Sequence, residues 1–157
     1  LEGFDFKQHV ATEFGWPYGE AERIEFWGNL FSEMSYYESR HQPTRRFAEP
    51  KKKDKITGKQ LYSEGLMQMS YQDIMAMPQC QFDWSRDSRL NPEDPRKTVL
   101  DPYKNLHCAF LILRKQITRH DKIAIGTGAY WAVIKSSYEK NKLPQIRAAL
   151  RSLEFCE

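Results

Sequence analysis

The sequence predicts a mainly α-helical domain with one small β-hairpin. Hydrophobic residues recur every three or four positions in several stretches, which is the spacing of one helix face. Alternating strand patterns are scarce, and Pro, Gly and charged residues interrupt residues 43–62, where we expect a small β-hairpin or loop. The chain has 157 residues, 40% of them hydrophobic, with no internal repeat and no Gly/Ser linker. Residues 1–157 are therefore expected to form a single domain.

The strongest helix signal begins near Glu20, after a weaker helix predicted over residues 6–14. Four large apolar residues and one carboxylate share one face of this helix, at spacings of three and four: Ile24, Trp27, Phe31, Met34 and Glu38. A carboxylate at the end of an apolar stripe is an unusual placement, because burial disfavours its charged form.

The later helices are predicted from breakers and caps as well as from periodicity. Asp101 and Pro102 form a good helix start, an Asp cap followed by Pro in the first turn. Residues 78–100 are rich in Pro and polar residues and predict an extended loop, pinned through Cys80. The predicted helices, in order, span residues 65–77, residues 101 to about 120, residues 129–138 and the residues from Pro144 onward.

The charge and composition exclude several classes of function. The net charge is +3, which suits an anionic polymer but falls short of the basic stripe of a nucleic-acid-binding protein. No apolar run approaches the roughly 20 residues of a membrane-spanning helix. No cysteine pair has the close spacing of a zinc site. We therefore expect a monomer without metal, cofactor, nucleic acid or membrane span.

Glu38 is the most informative single residue. If its apolar helix face removes it from water, its pKa rises, and a carboxyl protonated near neutral pH can donate a proton in catalysis. The alternative is a structural carboxylate that pairs with a nearby guanidinium, from Arg40, Arg45 or Arg46. Position alone favours the structural alternative, because buried unpaired carboxylates are costly.

Four short motifs occur in a fixed order along residues 24–138. Glu-Ser closes a helix, Gly-Leu-Met-Gln follows, Asp-Pro-x-x-Asn opens another helix, and Ala-Tyr comes last: Glu38–Ser39, Gly65–Gln68, Asp101–Asn105 and Ala129–Tyr130. Each motif alone is weak, but the four together are specific. Their order resembles the lytic transglycosylase and goose-type lysozyme superfamily, which implies a lysozyme-like fold and glycan strands of bacterial peptidoglycan as the substrate.

The resemblance implies a reaction centred on Glu38. It would protonate the β-1,4 oxygen between MurNAc and GlcNAc, and the substrate's N-acetyl group would ease the developing positive charge. The carboxylate would then deprotonate the C6 hydroxyl, which closes a 1,6-anhydro ring as in a lytic transglycosylase. The alternative is a lysozyme, which uses water and needs a second carboxylate, for which we consider four candidates: Glu64, Asp73, Asp83 and Asp87.

The resemblance also implies substrate-binding roles. Ser39 would steady the site by hydrogen bonding, and Gly65 would allow the backbone to approach a sugar. Met67 and Gln68 would line the groove, although Met67 fits the core equally well. Tyr130 would bond to or pack against the catalytic acid, with a core position as its alternative.

Two departures from the family pattern affect the rim of the expected groove. The segment "A-Y-N-A-G" reads Ala129-Tyr130-Trp131-Ala132-Val133 here, and Trp131 is expected either to stack on sugar or to fill the core. Glu64 stands immediately before Gly65, where small residues are usual. If Glu64 faces the groove, it would pair with the ammonium of a de-N-acetylated sugar and give a preference for deacetylated peptidoglycan.

Two non-enzymatic alternatives stay open: a wall-binding module that keeps the fold without catalysis, and a helical interaction protein with an ion-paired Glu38. The cysteine count alone fits either three free thiols or one disulfide with one buried thiol. The chain starts at Leu1 without a leader, which indicates a trimmed fragment. The resemblance implies a periplasmic or secreted protein with one disulfide, for which Cys80 and Cys156 are the better pair and Cys108 a buried thiol.

Overall fold

A computed structural model describes residues 19–153. The helix predicted over residues 6–14, and Cys156, lie outside them. The described chain is mainly α-helical with a two-stranded antiparallel sheet, as the sequence predicts. Its elements, in order, are α1 (Glu20–Ser39), β1 (Arg46–Lys53), β2 (Gln60–Glu64), a 3-10 helix (Tyr71–Met75), α2 (Trp84–Asp87), α3 (Pro102–His120), a second 3-10 helix (Ala132–Ile134) and α4 (Leu143–Arg151).

The chain divides into two compact units. Of the described residues, the first unit contains 19–37 and 113–153, and the second contains Glu38–Ile112. Each unit is described by itself. Among the described helices, none combines the length and the apolarity that a bilayer span requires.

The first unit has an apolar core built from α1, the end of α3, α4 and the loop between them. The helix predicted over residues 129–138 is wrong, because this segment forms only the three-residue 3-10 helix. Ile125 forms a parallel bridge with Lys135, and the Lys142 amide donates to the Val133 carbonyl at 2.8 Å, which holds the chain in an extended course. The buried apolar side chains include Phe26, Leu30, Met34, Leu113, Ile117, Trp131, Ile134, Ile146 and Leu150.

The second unit contains the predicted hairpin. Strands β1 and β2 pair antiparallel, with Arg46 opposite Glu64 and Ala48 opposite Tyr62. Lys53 then pairs with Gln60, so the register shifts between Ala48 and Lys53 and β1 bulges there. Pro cannot donate to a strand ladder and is tolerated at bulges, which is where the sequence places Pro50.

The helix predicted over residues 65–77 is also wrong. Glu64 and Met69 exchange two backbone hydrogen bonds, at 2.7 and 2.8 Å, which close a tight turn. Gly65 and Gln68 have φ values of 81° and 51°, outside the right-handed helical region. Only Tyr71–Met75 continues as a helical turn.

Helix α3 begins and ends as predicted. The Asp101 side chain accepts a hydrogen bond from the Lys104 amide at 2.9 Å, as an N-terminal cap does. The loop predicted before it is present, apart from the short helix α2, whose first turn is capped by Asp83.

The predicted disulfide is present, but its pairing differs. Cys80 bonds to Cys108, so the expected pairing of Cys80 with Cys156 and the expected buried thiol at Cys108 are both wrong. Cys108 lies in α3 and is fully buried, and its Cα is 4.7 Å from that of Cys80. Cys108 therefore attaches the 78–100 loop to α3 through Cys80, the residue at which the sequence predicts that this loop is attached. A disulfide is consistent with an oxidising compartment.

Candidate active site

Glu38 lies one residue before the end of α1. Its side chain is partly exposed, so it is reachable by solvent and by a ligand. The helix ends at Ser39, which is fully buried. Arg40 and His41 then adopt left-handed backbone conformations, both with φ of 58°, and reverse the chain. Two successive non-glycine residues in this region store backbone strain, which is a feature found at functional sites.

The environment of Glu38 favours its protonated form. Burial raises its pKa from an ordinary value of 4.5 to about 7, because removal from water penalises the carboxylate. Within residues 19–153, no cation forms a salt bridge with it. Arg46, which the sequence offered as a partner, binds Glu64 instead. The described part of the chain thus contains no ion pair that would give Glu38 a structural role.

The Gly65–Gln68 motif forms a turn held by one buried side chain, that of Asn105. The Asn105 Oδ1 atom accepts a hydrogen bond from the Met67 amide at 2.7 Å. Its Nδ2 group donates to the carbonyls of Glu64 and Val99, at 3.0 and 2.7 Å. Asn105 is fully buried in the first turns of α3. The Asp-Pro-x-x-Asn motif therefore holds the Gly-Leu-Met-Gln turn in place.

Gly65 is required by this packing. Its φ is 81°, and a Cβ added there would lie 2.3 Å from Asn105 Nδ2 and 3.0 Å from the Val99 carbonyl oxygen. The positive φ and the lack of space for a Cβ would each by itself favour glycine. The space beside Gly65 on the Cβ side is therefore filled by Asn105, and an approach of sugar to the Gly65 backbone stays a prediction.

Met67 and Gln68 are both buried. Met67 is fully enclosed, which matches the core position that the sequence left open for it. The Gln68 amide donates to the Gly65 carbonyl at 2.9 Å and to the Arg45 carbonyl at 3.3 Å. These hydrogen bonds link the turn to the segment between α1 and β1, so the Gln68 side chain stabilises this part of the unit.

Glu64 lines a pocket of about 250 Å³ in the second unit. Its Oε1 atom accepts from Arg46 Nε at 2.6 Å and from Lys97 Nζ at 2.8 Å. The Glu64 and Lys97 side chains are each less than 5% exposed. This carboxylate is buried and already binds two cations through one oxygen, which leaves little unpaired negative charge for a substrate ammonium.

The other three carboxylates considered for a lysozyme are engaged within the second unit. Asp73 accepts from the backbone and hydroxyl of Ser70, at 2.7 and 2.9 Å, and caps the 3-10 helix. Asp83 caps α2 through the Arg86 amide at 3.1 Å. Asp87 is fully buried and accepts from the Tyr71 hydroxyl at 3.0 Å, as well as from both Thr98 donors.

Tyr130 and Trp131 belong to the first unit. Tyr130 is exposed and its ring centroid lies 4.7 Å from that of Trp131, which is buried. Trp131 therefore fills the core, one of the two positions expected for it. The predicted contact between Tyr130 and Glu38 joins different units and stays a prediction.

Sequence reasoning missed the roles of Asn105, Lys97 and Glu49. Asn105 is the last residue of the Asp-Pro-x-x-Asn motif, and the signal for its role was an amide side chain in the first turns of a predicted helix. Lys97 stands in a polar loop, and nothing in the sequence marks it as a buried partner of Glu64. Glu49 lies in β1, partly exposed, and accepts from the Ser63 hydroxyl at 2.9 Å and from Lys52 Nζ at 3.3 Å. Among residues 19–153 no cluster of acidic, His or Cys residues is arranged to hold a metal ion.

The chain is similar in fold to solved structures of the protein DslA. The wild-type structure matches with a TM-score of 0.75 at 23% identity, covering 98% of this chain and 81% of that chain. Two single glutamate-to-glutamine mutants match with TM-scores of 0.69 and 0.70 at 24% and 23% identity, each covering 89% of this chain and 72% of that one. The two replaced glutamates are eleven positions apart. No protein-family model matches the chain, and no curated protein matches it.

We predict that Asn105→Ala destabilises the protein by about 3 kcal/mol, because a buried amide and two buried carbonyls lose their partner. Denaturant unfolding monitored by tryptophan fluorescence measures the change. Asn91→Ala, which removes an exposed amide from the same unit, is the control and should change stability by less than about 0.5 kcal/mol. Equal stability of the two variants would contradict the role given to Asn105.

Proposed function

We propose that this protein cleaves the β-1,4 bond between MurNAc and GlcNAc in bacterial peptidoglycan, with Glu38 as the proton donor. The observation that carries the proposal is the burial of Glu38 without a salt bridge among residues 19–153, which raises its pKa to about 7. A carboxyl with this pKa is substantially protonated at neutral pH, so it can donate to the bridging oxygen as the glycosidic bond breaks. Once it has lost that proton, Glu38 is a carboxylate and can act as the base in the following step.

Three further features support the proposal. The Glu-Ser motif ends a helix, as the resemblance requires, and its glutamate is partly exposed while its serine is buried. The Gly-Leu-Met-Gln and Asp-Pro-x-x-Asn motifs are joined by the Asn105 hydrogen bonds. The fold is shared with a protein of which two glutamate-to-glutamine mutants have been solved, and such substitutions are the usual means of removing a carboxyl function while keeping its shape.

The first candidate for the second half of the reaction is transglycosylation. Glu38 protonates the leaving oxygen, and the substrate's N-acetyl oxygen stabilises the positive charge at C1. Glu38 then accepts the proton of the C6 hydroxyl, whose oxygen bonds to C1 and closes the 1,6-anhydro ring. No water is consumed and no second carboxylate is required. The engagement of Glu64, Asp73, Asp83 and Asp87 in hydrogen bonds or ion pairs favours a mechanism that does not use them.

The second candidate is hydrolysis, as in a lysozyme, with Glu49 as the base that activates water. Glu49 follows Glu38 by eleven positions, the same interval as that between the two glutamates replaced in DslA. The ammonium of Lys52 and the hydroxyl of Ser63 both donate to its carboxylate and hold it in the hairpin. An inverting glycosidase uses one carboxyl as the acid and a second as the base that activates water, and Glu38 and Glu49 would fill these two roles.

A preference for de-N-acetylated peptidoglycan remains a proposal that is compatible with hydrolysis alone, and Glu64 is not its cause. Arg46 and Lys97 already occupy the Glu64 carboxylate. Hydrolysis at Glu49 would not depend on a substrate N-acetyl group, whereas the transglycosylase reaction described above would. The response to deacetylation therefore separates the two mechanisms.

The two non-enzymatic functions receive less support. A helical interaction protein requires an ion-paired Glu38, and residues 19–153 supply no such pair. A wall-binding module has no use for a carboxyl whose pKa is raised at a cost in stability. Absence of cleavage by correctly folded protein would restore the binding module as the better proposal.

We predict that the wild-type protein releases soluble fragments from purified peptidoglycan and that Glu38→Gln releases at least about 100-fold less, since general-acid catalysis contributes about that much. Mass spectrometry of the products is the measurement, on native and on chemically de-N-acetylated wall. Glu33→Gln, on the same helix, is the matched control and should retain activity. Fragments about 18 Da lighter than hydrated ones identify transglycosylation. An active Glu38→Gln variant would refute the proposal.

We predict that Glu49→Gln distinguishes the two mechanisms without loss of the fold, since Glu49 is partly exposed in the hairpin. If the products carry ordinary reducing ends, Glu49→Gln should reduce their formation by at least about tenfold, because the base that activates water is missing. If the products are anhydro sugars, the same variant should leave the rate within about twofold. A hydrolase that is insensitive to Glu49→Gln would rule out the second candidate.

We predict that Glu38→Gln stabilises the protein at pH 8 and not at pH 4. The folded-state pKa is about 7 and the ordinary value is 4.5, so the folded protein holds more protons between these values and loses stability as pH rises through them. Glutamine mimics the protonated form and escapes this loss, which amounts to about 3 kcal/mol at pH 8. Denaturant unfolding at pH 4 and pH 8 measures it, and the pH 4 comparison is the internal control. A constant difference would contradict the raised pKa.

A further inference from the structure

The hairpin region contains the whole positive charge excess of the protein. Residues 45–60 contain seven Lys and Arg and two acidic residues, a net charge of +5. The chain as a whole has a net charge of +3, so the remainder has a net charge of −2. Any attraction of a polyanion to this protein at close range is therefore concentrated on the hairpin.

Four lysines form an exposed cluster at the distal part of the hairpin: Lys51, Lys52, Lys53 and Lys55. Lys52 contacts Glu49 at 3.3 Å, a weak pair with the lysine side chain 64% exposed. Within the described residues no salt bridge engages the ammonium groups of Lys51, Lys53 or Lys55. Apart from the contact of Lys52 with Glu49, the positive charge of the cluster is in contact with solvent and is not neutralised by a salt bridge among the described residues.

The backbone that displays these lysines is fixed by a bulge in β1. The register shift places Pro50, Lys51 and Lys52 outside the regular ladder, and Lys51 has a φ of 61°. The Gln60 side-chain amide donates to the carbonyls of Glu49 and Lys52, so the bulge satisfies two of its carbonyls internally. Bulges are built features that redirect side chains, and here the redirected side chains are lysines.

The turn at the end of the hairpin is anchored by Asp54. Its carboxylate is buried. Oδ1 accepts from the Ile56 and Thr57 amides at 2.8 and 2.9 Å, and Oδ2 accepts from the Gln72 amide at 3.1 Å, in the 3-10 helix. An unanchored loop of like charges would splay and move freely. This one is tied to the body of the unit beside its cationic side chains.

We propose that the four-lysine cluster is a docking surface for a polymer that carries repeated carboxylates, namely the peptide stems of peptidoglycan. The choice of polymer rests on the proposed function. All four lysines are exposed, so a single small anion would gain only a weak, solvent-screened contact. A polymer engages several ammonium groups at once, and each contact after the first is intramolecular. The hairpin would thus hold the insoluble wall while Glu38 acts on its glycan.

The test measures retention of protein on insoluble, purified peptidoglycan at increasing salt. All proteins carry Glu38→Gln, so that cleavage does not release them and failure of the proposed reaction leaves this measurement intact. The hairpin triple variant is Lys51→Gln, Lys53→Gln and Lys55→Gln. The matched control triple variant removes the same number of exposed cations elsewhere, through Arg89→Gln, Lys122→Gln and Lys140→Gln, so both variants have the same net charge.

We expect the hairpin triple variant to bind the wall five- to tenfold more weakly than its parent at about 50 mM salt, the sum of three exposed ion pairs. The difference should vanish near 500 mM salt, where charges are screened over a few ångströms. The control triple variant should bind within about twofold of the parent. Equal losses in the two triple variants, or no loss in either, would overturn the proposal. Hairpin-dependent binding to anionic phospholipid vesicles but not to the wall would also overturn it.

Discussion

The arrangement of the second unit depends on the hydrogen bonds of the Asn105 side chain. One amide group bonds three backbone groups, at Glu64, Met67 and Val99, and so ties the end of β2, the following turn and the loop before α3 to one point on that helix. Its position excludes any side chain at residue 65. Buried polar networks stabilise a unique arrangement only when every member is satisfied, and here the amide uses both its oxygen and its nitrogen. The Gly-Leu-Met-Gln and Asp-Pro-x-x-Asn motifs are thus two parts of one hydrogen-bonded structure, which explains why they occur together in the sequence.

Glu38, by contrast, has surroundings that destabilise the folded protein when its carboxyl is ionised. Burial raises its pKa, and its position at the C-terminal end of α1, where helix carbonyls are unpaired, also disfavours a negative charge. Within residues 19–153 no salt bridge relieves it, although the same unit compensates Glu64 with two cations. Two carboxylates in one unit thus have opposite surroundings, since two cations bind Glu64 and burial without a salt bridge raises the pKa of Glu38. The proposed function follows from the surroundings of Glu38.

The sequence predicted the features that depend on local pattern and missed those that depend on tertiary contact. Helix α1 and helix α3 followed from periodicity and from the Asp101-Pro102 start, and the hairpin followed from its breakers. The helices predicted after Gly65 and after Ala129 failed because backbone bonds to distant segments, and positive φ values at Gly65 and Gln68, prevail over local propensity. Cys108 was assigned to the core by its helical position, but periodicity cannot reveal that a loop cysteine faces it. The spacing of Glu38 marked it as a carboxylate on an apolar face, and the order of the four motifs, through their resemblance to a known family, made it the candidate acid. Its lack of an ion pair, the engagement of the other carboxylates and the anchored lysine cluster emerged only from the three-dimensional contacts.

The role of Glu38 as proton donor is tested most directly by an NMR titration of its side-chain carboxyl carbon in the folded protein, assigned by comparison with Glu38→Gln. We expect a midpoint near pH 7, which is the value a proton donor needs to act at neutral pH. A midpoint at or below the ordinary value of 4.5 would mean that Glu38 is hydrated or ion-paired. It would then be a structural carboxylate, and the proposed chemistry would have no proton donor.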